Sequence, residues 1–305
     1  MRLPPPLAPG ACIGLAAPSG PVPGRELQEA VHYLEQRGYS TAVGAHALQR
    51  DAQFGYLAGT DHERAHDLQQ LWLNPQVDAL FCLRGGYGAM RLLPLLDVQA
   101  MQRVTKPFLG YSDITTLHLL LNGGGLATYY GPNAGGLQRL NAAASACLWG
   151  MLEQTMQGVL PAEPESMQTL QGGSTEGRLA GGCLCLLAHA CGTPLQPNLD
   201  GCIVALEDVG EPLYRIDRFI TQLLLSGVLQ IAAGFVAGTV TRWENEEASP
   251  RPDNLLQLWL DRLGPLNKPI LAGFPFGHEP DPLTIPLGRR AALNADARSL
   301  TLLPD

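Results

Sequence analysis

Runs of Lys and Arg are missing from this sequence, and its 20 basic residues are outnumbered by 28 acidic ones, giving a formal charge of −8. A phosphate backbone is held by clustered cations, so nucleic acid is excluded as the natural partner. Also missing is any apolar run near the roughly 18 residues that a membrane span needs, and no membrane partner is expected. Seven cysteines are present, an odd number, and no CxxC pair occurs among them. Most stand among apolar neighbours and read as buried, reduced thiols of a cytoplasmic protein. Cys183-x-Cys185 is the nearest approach to metal-ligand spacing, but two side chains two positions apart on a helix diverge. No GxGxxG order and no P-loop lysine accompany the glycine-rich stretches, which argues against a nucleotide site. At the amino terminus, "MRLPPPLAPGACIGLAAPSG" places three consecutive prolines where a secretory leader needs a helical apolar core. "ACIGLAAPSG" reads instead as a first buried strand running into a turn.

What is present is apolar and patterned. A chain of 305 residues with 46% hydrophobic content is long enough for two cores. The first half alternates strand-like and helix-like segments: "ACIGLAAP", "RELQEAVHYLEQRGY", "TAVGAHA", "DHERAHDLQQLWLN" behind a Thr60-Asp61 cap, and "VDALFCL". It continues with "RGGYGAMRLLPLL" as a helix, "KPFLGY" as a strand, "SDITTLHLLLNGG" as a helix and "LATYYGP". Strands separated by helical periodicity imply an α/β fold built on a parallel sheet with covered faces. Residues 154–176 lack periodicity and carry Pro, Gly and polar residues, as a crossover between domains does. The expected organisation is an α/β domain over 1–153, the crossover, and a smaller β-rich α/β domain over 177–305. In the second domain "GCIVALEDV", "IAAGFVAGTV" and "KPILAGFPFGH" read as strands, "YRIDRFITQLLLSGVL" and "PDNLLQLWLDRLG" as helices, and "TIPLGRRAALNADARSLTLL" as a β-hairpin tail.

Chemistry can be sought at the strand ends. Ser112 follows "KPFLGY" and precedes a helical pattern, so it is either the helix cap or a nucleophile lifted into a cleft. Only the first half of a GxSxG elbow is matched, because Ile114 stands at the second Gly. "CLRGGYG" (82–88) leaves another buried strand, and its glycines expose backbone N–H groups fit for an anion or oxyanion, or serve turn geometry alone. Among seven histidines, His32, His46, His118 and His189 lie in helical or turn patterns beside apolar residues. His278 follows the strand "GFPFGH" and opens a rigid loop, where function concentrates. Glu207 ends another strand and would orient His278 as base, with Asp208 the competing orienter. "HERAH", His62 to His66, matches the HExxH zinc-peptidase pattern, with Glu63 as water-activating base. It lies at a helix start with Arg64 at its centre and no evident third ligand, as a solvated helix face does.

In ordered blocks along almost its whole length, the chain resembles the LD-carboxypeptidases, a serine peptidase family that includes muramoyl-tetrapeptide carboxypeptidase and microcin-immunity relatives. The blocks are "GLAAPSGPV", "YLAGTDHERAHDLQ", "LRGGYGAMRLLPLLD", "LGYSDITTLHLLLN", "GRLAGGCLCLLAHACGTP", "LEDVGEPLYRIDRFITQLLLSG" and "GFPFGHEPDPLTIPLG". The resemblance implies a Ser–Glu–His triad falling on Ser112, Glu207 and His278, with the backbone amides of Gly86 and Asp113 as oxyanion donors. It implies no cofactor and no metal, and it makes the HExxH match coincidental. It further implies two domains, a small peptide substrate (murein tetrapeptide) losing a C-terminal D-Ala, a cytoplasmic setting in peptidoglycan recycling, and pairing as homodimers. A microcin-immunity-type activity on peptidyl or aminoacyl nucleotides is the alternative; a zinc peptidase and a non-catalytic peptide-binding protein stand behind it. Arg84, Arg215 and Arg218 are the candidate cations for a substrate carboxylate. The chain departs from the family where many members read His-Gly-Pro, having Tyr130-Gly131-Pro132, and it matches weakly after "TVTRWENEE".

Overall fold

A computed structural model describes residues 1–243, 251 and 253–304. Residues 244–250, which include the start of the weakly matching stretch after "TVTRWENEE", lie outside the described residues. The chain divides into two compact units, Met1–Met156 and Gln157–Asp305.

In the first unit, β1 (Cys12–Ala16), β2 (Ser40–Val43), β3 (Ala79–Cys82), β4 (Phe108–Gly110) and β5 (Thr128–Tyr130) run parallel in the order β5-β4-β3-β1-β2. The sequence makes this a sheet covered on both faces, since every residue of β3 and β4 is buried. The helix α1 (Gly24–Gln36) turns Leu27, Ala30 and Leu34 inward at helical spacing. The next, α2 (Asp61–Leu73), starts at a full capping box: the Thr60 hydroxyl accepts from the Glu63 N–H, and the Glu63 carboxylate accepts from the Thr60 N–H. The helix expected over 84–96 is instead a 3-10 helix over Ala89–Leu95 with Pro94 inside it. That proline removes a donor and crowds the preceding turn, so no α-helix forms there. A short helix that periodicity did not reveal, α3 (Val98–Arg103), follows, capped by Asp97. After a 3-10 turn over Ser112–Ile114, α4 (Thr115–Gly123) and α5 (Ala142–Leu152) complete the unit.

The second unit holds an eight-stranded sheet. Its middle strands, β8 (Ser174–Cys183), β9 (Cys202–Val209), β10 (Gly234–Thr241) and β11 (Ile270–Gly277), are parallel. Antiparallel strands flank them: β6 (Gly158–Val159), β14 (Ser299–Leu302) and β13 (Arg290–Asn294) on one side, and β7 (Gln168–Gln171) on the other. The stretch 154–176, expected as a crossover, thus contributes β6, β7 and the start of β8. Edge strands stay polar and short, which is why they carry no periodic signal. The helices α6 (Leu184–Ala190), α7 (Leu213–Leu225) and α8 (Asp253–Leu263) alternate with the parallel strands. Of these, α7 buries Ile216, Phe219, Ile220 and Leu223, one clean face. The short β12 (Ile285–Leu287) precedes the expected hairpin of β13 and β14.

The result is an α/β architecture with two parallel-centred sheets. In such sheets, loops at the carboxyl ends of the strands collect the reactive groups. No helix among the described residues is long and apolar enough to cross a membrane.

Candidate active site

Ser112 follows β4 at its carboxyl end and is not a cap. Neither the 3-10 turn nor α4 carries a side-chain cap, and Ser112 itself has φ 67°, in the left-handed region. A non-glycine residue there costs on the order of 1–3 kcal/mol, and such strain is characteristic of a nucleophile elbow between strand and helix. Several bonds hold the turn. The Ser112 N–H donates to the Tyr130 hydroxyl at 3.1 Å, and the Ser112 carbonyl accepts from the Thr115 hydroxyl at 2.7 Å. Beneath it, His118 is fully buried on α4; its Nε2 meets the Gly110 carbonyl at 2.8 Å and its Nδ1 the Thr128 hydroxyl at 2.8 Å. A carbonyl only accepts, so Nε2 carries the proton. Burial pushes this imidazole down to about 4, keeping it neutral.

The glycine loop after β3 closes on the same turn. A methyl at Gly85 would lie 2.8 Å from Ser112 Cβ and 3.0 Å from its Oγ, so only glycine lets the loop come this close. Gly86 adopts φ 111°. The loop is fastened by Asp113, whose buried carboxylate accepts from the Ser19 hydroxyl at 2.6 Å and from the Ala89 N–H at 2.8 Å. Burial raises the Asp113 carboxyl above its ordinary range, opposed by those two bonds. The Gly20 N–H adds a bond to the Gly85 carbonyl at 3.0 Å. Ser112, Gly86 and Asp113, picked out by sequence, therefore belong to one loop cluster. Sequence reasoning missed Ser19, His118 and Tyr130 as parts of it; Tyr130 had drawn notice only as a departure from His-Gly-Pro.

In the second unit, Glu207 sits fully buried near the end of β9, and His278 follows directly on β11. Their side chains meet, His278 Nδ1 to Glu207 Oε2, at 2.7 Å. With Nδ1–H donating to the carboxylate, the imidazole lone pair lies on Nε2, the tautomer a general base uses. Asp208 does not compete: successive strand residues face opposite ways, and its carboxylate accepts from the Cys185 and Val209 N–H groups, each at 2.8 Å. Burial first, then the charge of Glu207, pushes Asp208 up to about 6. Gly277, at φ 97°, makes room for the pair, since a methyl there would meet Glu207 Cβ at 2.7 Å. Beyond His278, Glu279 bonds the Thr239 hydroxyl, and burial pushes its carboxyl up to about 7.

The HExxH segment is occupied otherwise. The Glu63 carboxylate is engaged by the Thr60 N–H and hydroxyl at 2.8 and 2.9 Å, while His62 and His66 lie on the exposed face of α2. Arg64 is buried and donates to the carbonyls of Pro18 and Gly88, tying the loops after β1 and β3 together. Of the candidate carboxylate cations, Arg84 and Arg218 are exposed, the latter stacking over Tyr214, and Arg215 pairs with Glu211 at 3.2 Å.

One cysteine expectation is overturned. Cys183 is the last residue of β8 and Cys185 lies in the first turn of α6, so the two do not share a helix and their sulfurs converge to 3.5 Å.

A serine strained at a strand–helix turn and a histidine held by a buried carboxylate are the working parts from which serine hydrolases are built. Comparison with known proteins narrows that class. The family model for the LD-carboxypeptidase N-terminal domain matches residues 13–131, and that for the C-terminal domain matches residues 176–293. The chain belongs to the LD-carboxypeptidase family of serine peptidases. A putative carboxypeptidase of Streptomyces coelicolor is 42% identical to it over 97% of this chain and 94% of the relative. The murein tetrapeptide carboxypeptidase of Pseudomonas aeruginosa is 31% identical over 93% of each chain. Among solved structures, MccF in complex with glutamyl sulfamoyl guanosine superposes with a TM-score of 0.87 at 25% identity, covering 99% of this chain and 98% of that one.

Proposed function

We propose that this carboxypeptidase cleaves an L,D-amide bond and releases the terminal D-Ala of a murein tetrapeptide. Ser112 Oγ attacks the carbonyl that precedes the D-residue, and His278 Nε2 takes its proton. Glu207 keeps His278 in the required tautomer and offsets the imidazolium that forms. The amides of Gly86 and Asp113 stabilise the tetrahedral oxyanion, and His278 then returns the proton to the departing amine. Water hydrolyses the acyl-serine and frees the tripeptide. The observation that carries this reading is the 2.7 Å bond between His278 and a fully buried Glu207, which has the geometry of a base and its orienter. The relative from Pseudomonas aeruginosa supports the choice of substrate. The same reading sets the enzyme in the cytoplasm, in peptidoglycan recycling, as a homodimer.

A second reading has its own support, the likeness to MccF bound to an aminoacyl sulfamoyl nucleoside. In it the same nucleophile opens the amide of an aminoacyl nucleotide. Mass spectrometry of purified enzyme with a murein tetrapeptide and with an aminoacyl sulfamoyl nucleoside separates the two. Loss of one D-Ala from the peptide, abolished in Ser112→Ala and unaffected by chelator, is the expected result. Equal trimming by Ser112→Ala would remove the nucleophile assignment, and turnover of the nucleoside alone would favour the second reading. Light scattering at assay concentration checks the dimer.

A further inference from the structure

We infer that Cys183, Cys185 and Asp208 form a binding site for a thiophilic divalent cation of the zinc class, beside the proposed catalytic Glu207 but using none of the proposed catalytic groups as a ligand. One ligand atom from each of these residues lies within 4.8 Å of the other two. The sulfurs are 3.5 Å apart, and Cys183 Sγ is 3.7 Å from Asp208 Oδ1. Tetrahedral zinc with its usual bond lengths spaces two sulfurs by roughly 3.8 Å and a sulfur and an oxygen by roughly 3.5 Å. Two of the three ligand spacings thus stand close to tetrahedral values before any metal arrives, and the third lies within 4.8 Å. Backbone fixes them there: Cys183 ends β8 in register with Glu207 of β9, and the Cys185 N–H holds the other oxygen of Asp208 at 2.8 Å. Only Oδ1 is needed as ligand, so that bond survives binding, and the Val209 N–H on Oδ1 at 2.8 Å leaves that oxygen a second lone pair for the metal.

Charge argues the same way. Glu207 and Asp208 are consecutive and both buried, and a cation beside Asp208 offsets negative charge that is costly away from water. Cys183 and Asp208 are buried while Cys185 is half-exposed, which opens the site to solvent on one side and leaves the fourth position to water. Two thiolates select against magnesium and calcium and favour zinc or cadmium. Binding forms two metal–sulfur bonds and one metal–oxygen bond, and each thiol releases its proton to solvent.

Cadmium alone, titrated into fully reduced, metal-free protein under anaerobic conditions, provides the test. Expected are a thiolate-to-cadmium charge-transfer band in the ultraviolet that saturates at one ion per chain, and a rise in melting temperature with cadmium concentration. Cys185→Ser should remove most of the band, Asp208→Asn should weaken binding at least about tenfold, and Cys191→Ser, outside the cluster, should change neither. Because Cys183→Ser alters a buried position, the half-exposed Cys185→Ser, checked for wild-type circular dichroism, decides the matter. A band that persists in Cys185→Ser, or no band in the wild type, overturns the site. Histidine clusters on α2 cannot imitate this signal, since imidazole gives no thiolate band.

Discussion

The two halves of the chain solve one problem by opposite means. Each must hold a side chain proposed to react at the carboxyl end of a parallel strand, in an arrangement that an unfolded chain would not choose. The N-terminal half does so with backbone strain: Ser112 at φ 67° is clamped by Tyr130 and Thr115, and a neutral, buried His118 holds Gly110 two residues before it. The C-terminal half uses charge, burying Glu207 completely and presenting it to His278. A strained turn needs rigid, uncharged packing beneath it; a base needs a fixed negative partner. The contrast teaches that the chemistry required of a residue decides which kind of energy the fold stores around it.

The sharpest way to break that comparison is to ask whether the halves act as one unit. Ser112→Ala and His278→Ala should each lower kcat/KM by about 10⁴-fold or more, and the double variant should fall little further. Glu207→Gln should cost about 10³–10⁴-fold. Multiplying losses in steady-state kinetics would mean that serine and histidine do not serve the same step. Next in size is Gly277→Ala. It forces a side chain into positive φ and against Glu207, so it should cost at least about 2 kcal/mol in denaturant unfolding and about 10²-fold in rate. Gly210, also at positive φ (70°) but with nothing within 4 Å, is the matched control. Gly210→Ala should cost about 1 kcal/mol and leave the rate alone. Tyr130→Phe, which takes the acceptor from the Ser112 N–H, should cost about 1 kcal/mol and about tenfold in rate at most.

The pH effects run in opposite directions in the two halves. His118 has a folded value near 4 against an ordinary 6.5, so the fold favours its neutral form. Its contribution, ~3 kcal/mol at about 1.4 kcal/mol per unit, is complete above 6.5 and lost as pH falls through 4. Glu279 is the reverse: raised to about 7 from 4.5, it contributes fully below 4.5 and loses that contribution as pH rises through 7. Amide exchange followed by mass spectrometry, corrected for intrinsic rates, should show β4 to β5 loosening in acid and the segment around Glu279 loosening toward alkaline pH. Identical profiles in the two regions would remove the electrostatic half of the contrast.

Much of this was legible in the order of residues. Continuous apolar runs such as "VDALFCL" announced covered strands, and the helical spacing of Leu27, Ala30 and Leu34 announced α1. Ser112 and His278 stood out because both follow a strand. Other features were not legible, for physical reasons. The polar edge strands within 154–176 bury too little to leave a pattern, and α3 is under two turns long. His118 looks like any histidine on an apolar helix until Gly110 and Thr128 are seen on its two nitrogens. The cysteine pair was misread because its first member belongs to the strand: shifting a helix start by one residue turned converging sulfurs into diverging ones.

The buried His118 has a use beyond its support of the turn. Its Nε2–H is shielded from water and hydrogen-bonded to Gly110, two residues before the serine. Such a proton exchanges slowly and resonates far downfield in a magnetic resonance spectrum, clear of the amide envelope. Its line there would report, without any label, whether the acylation proposed for the neighbouring alcohol tightens or relaxes the elbow.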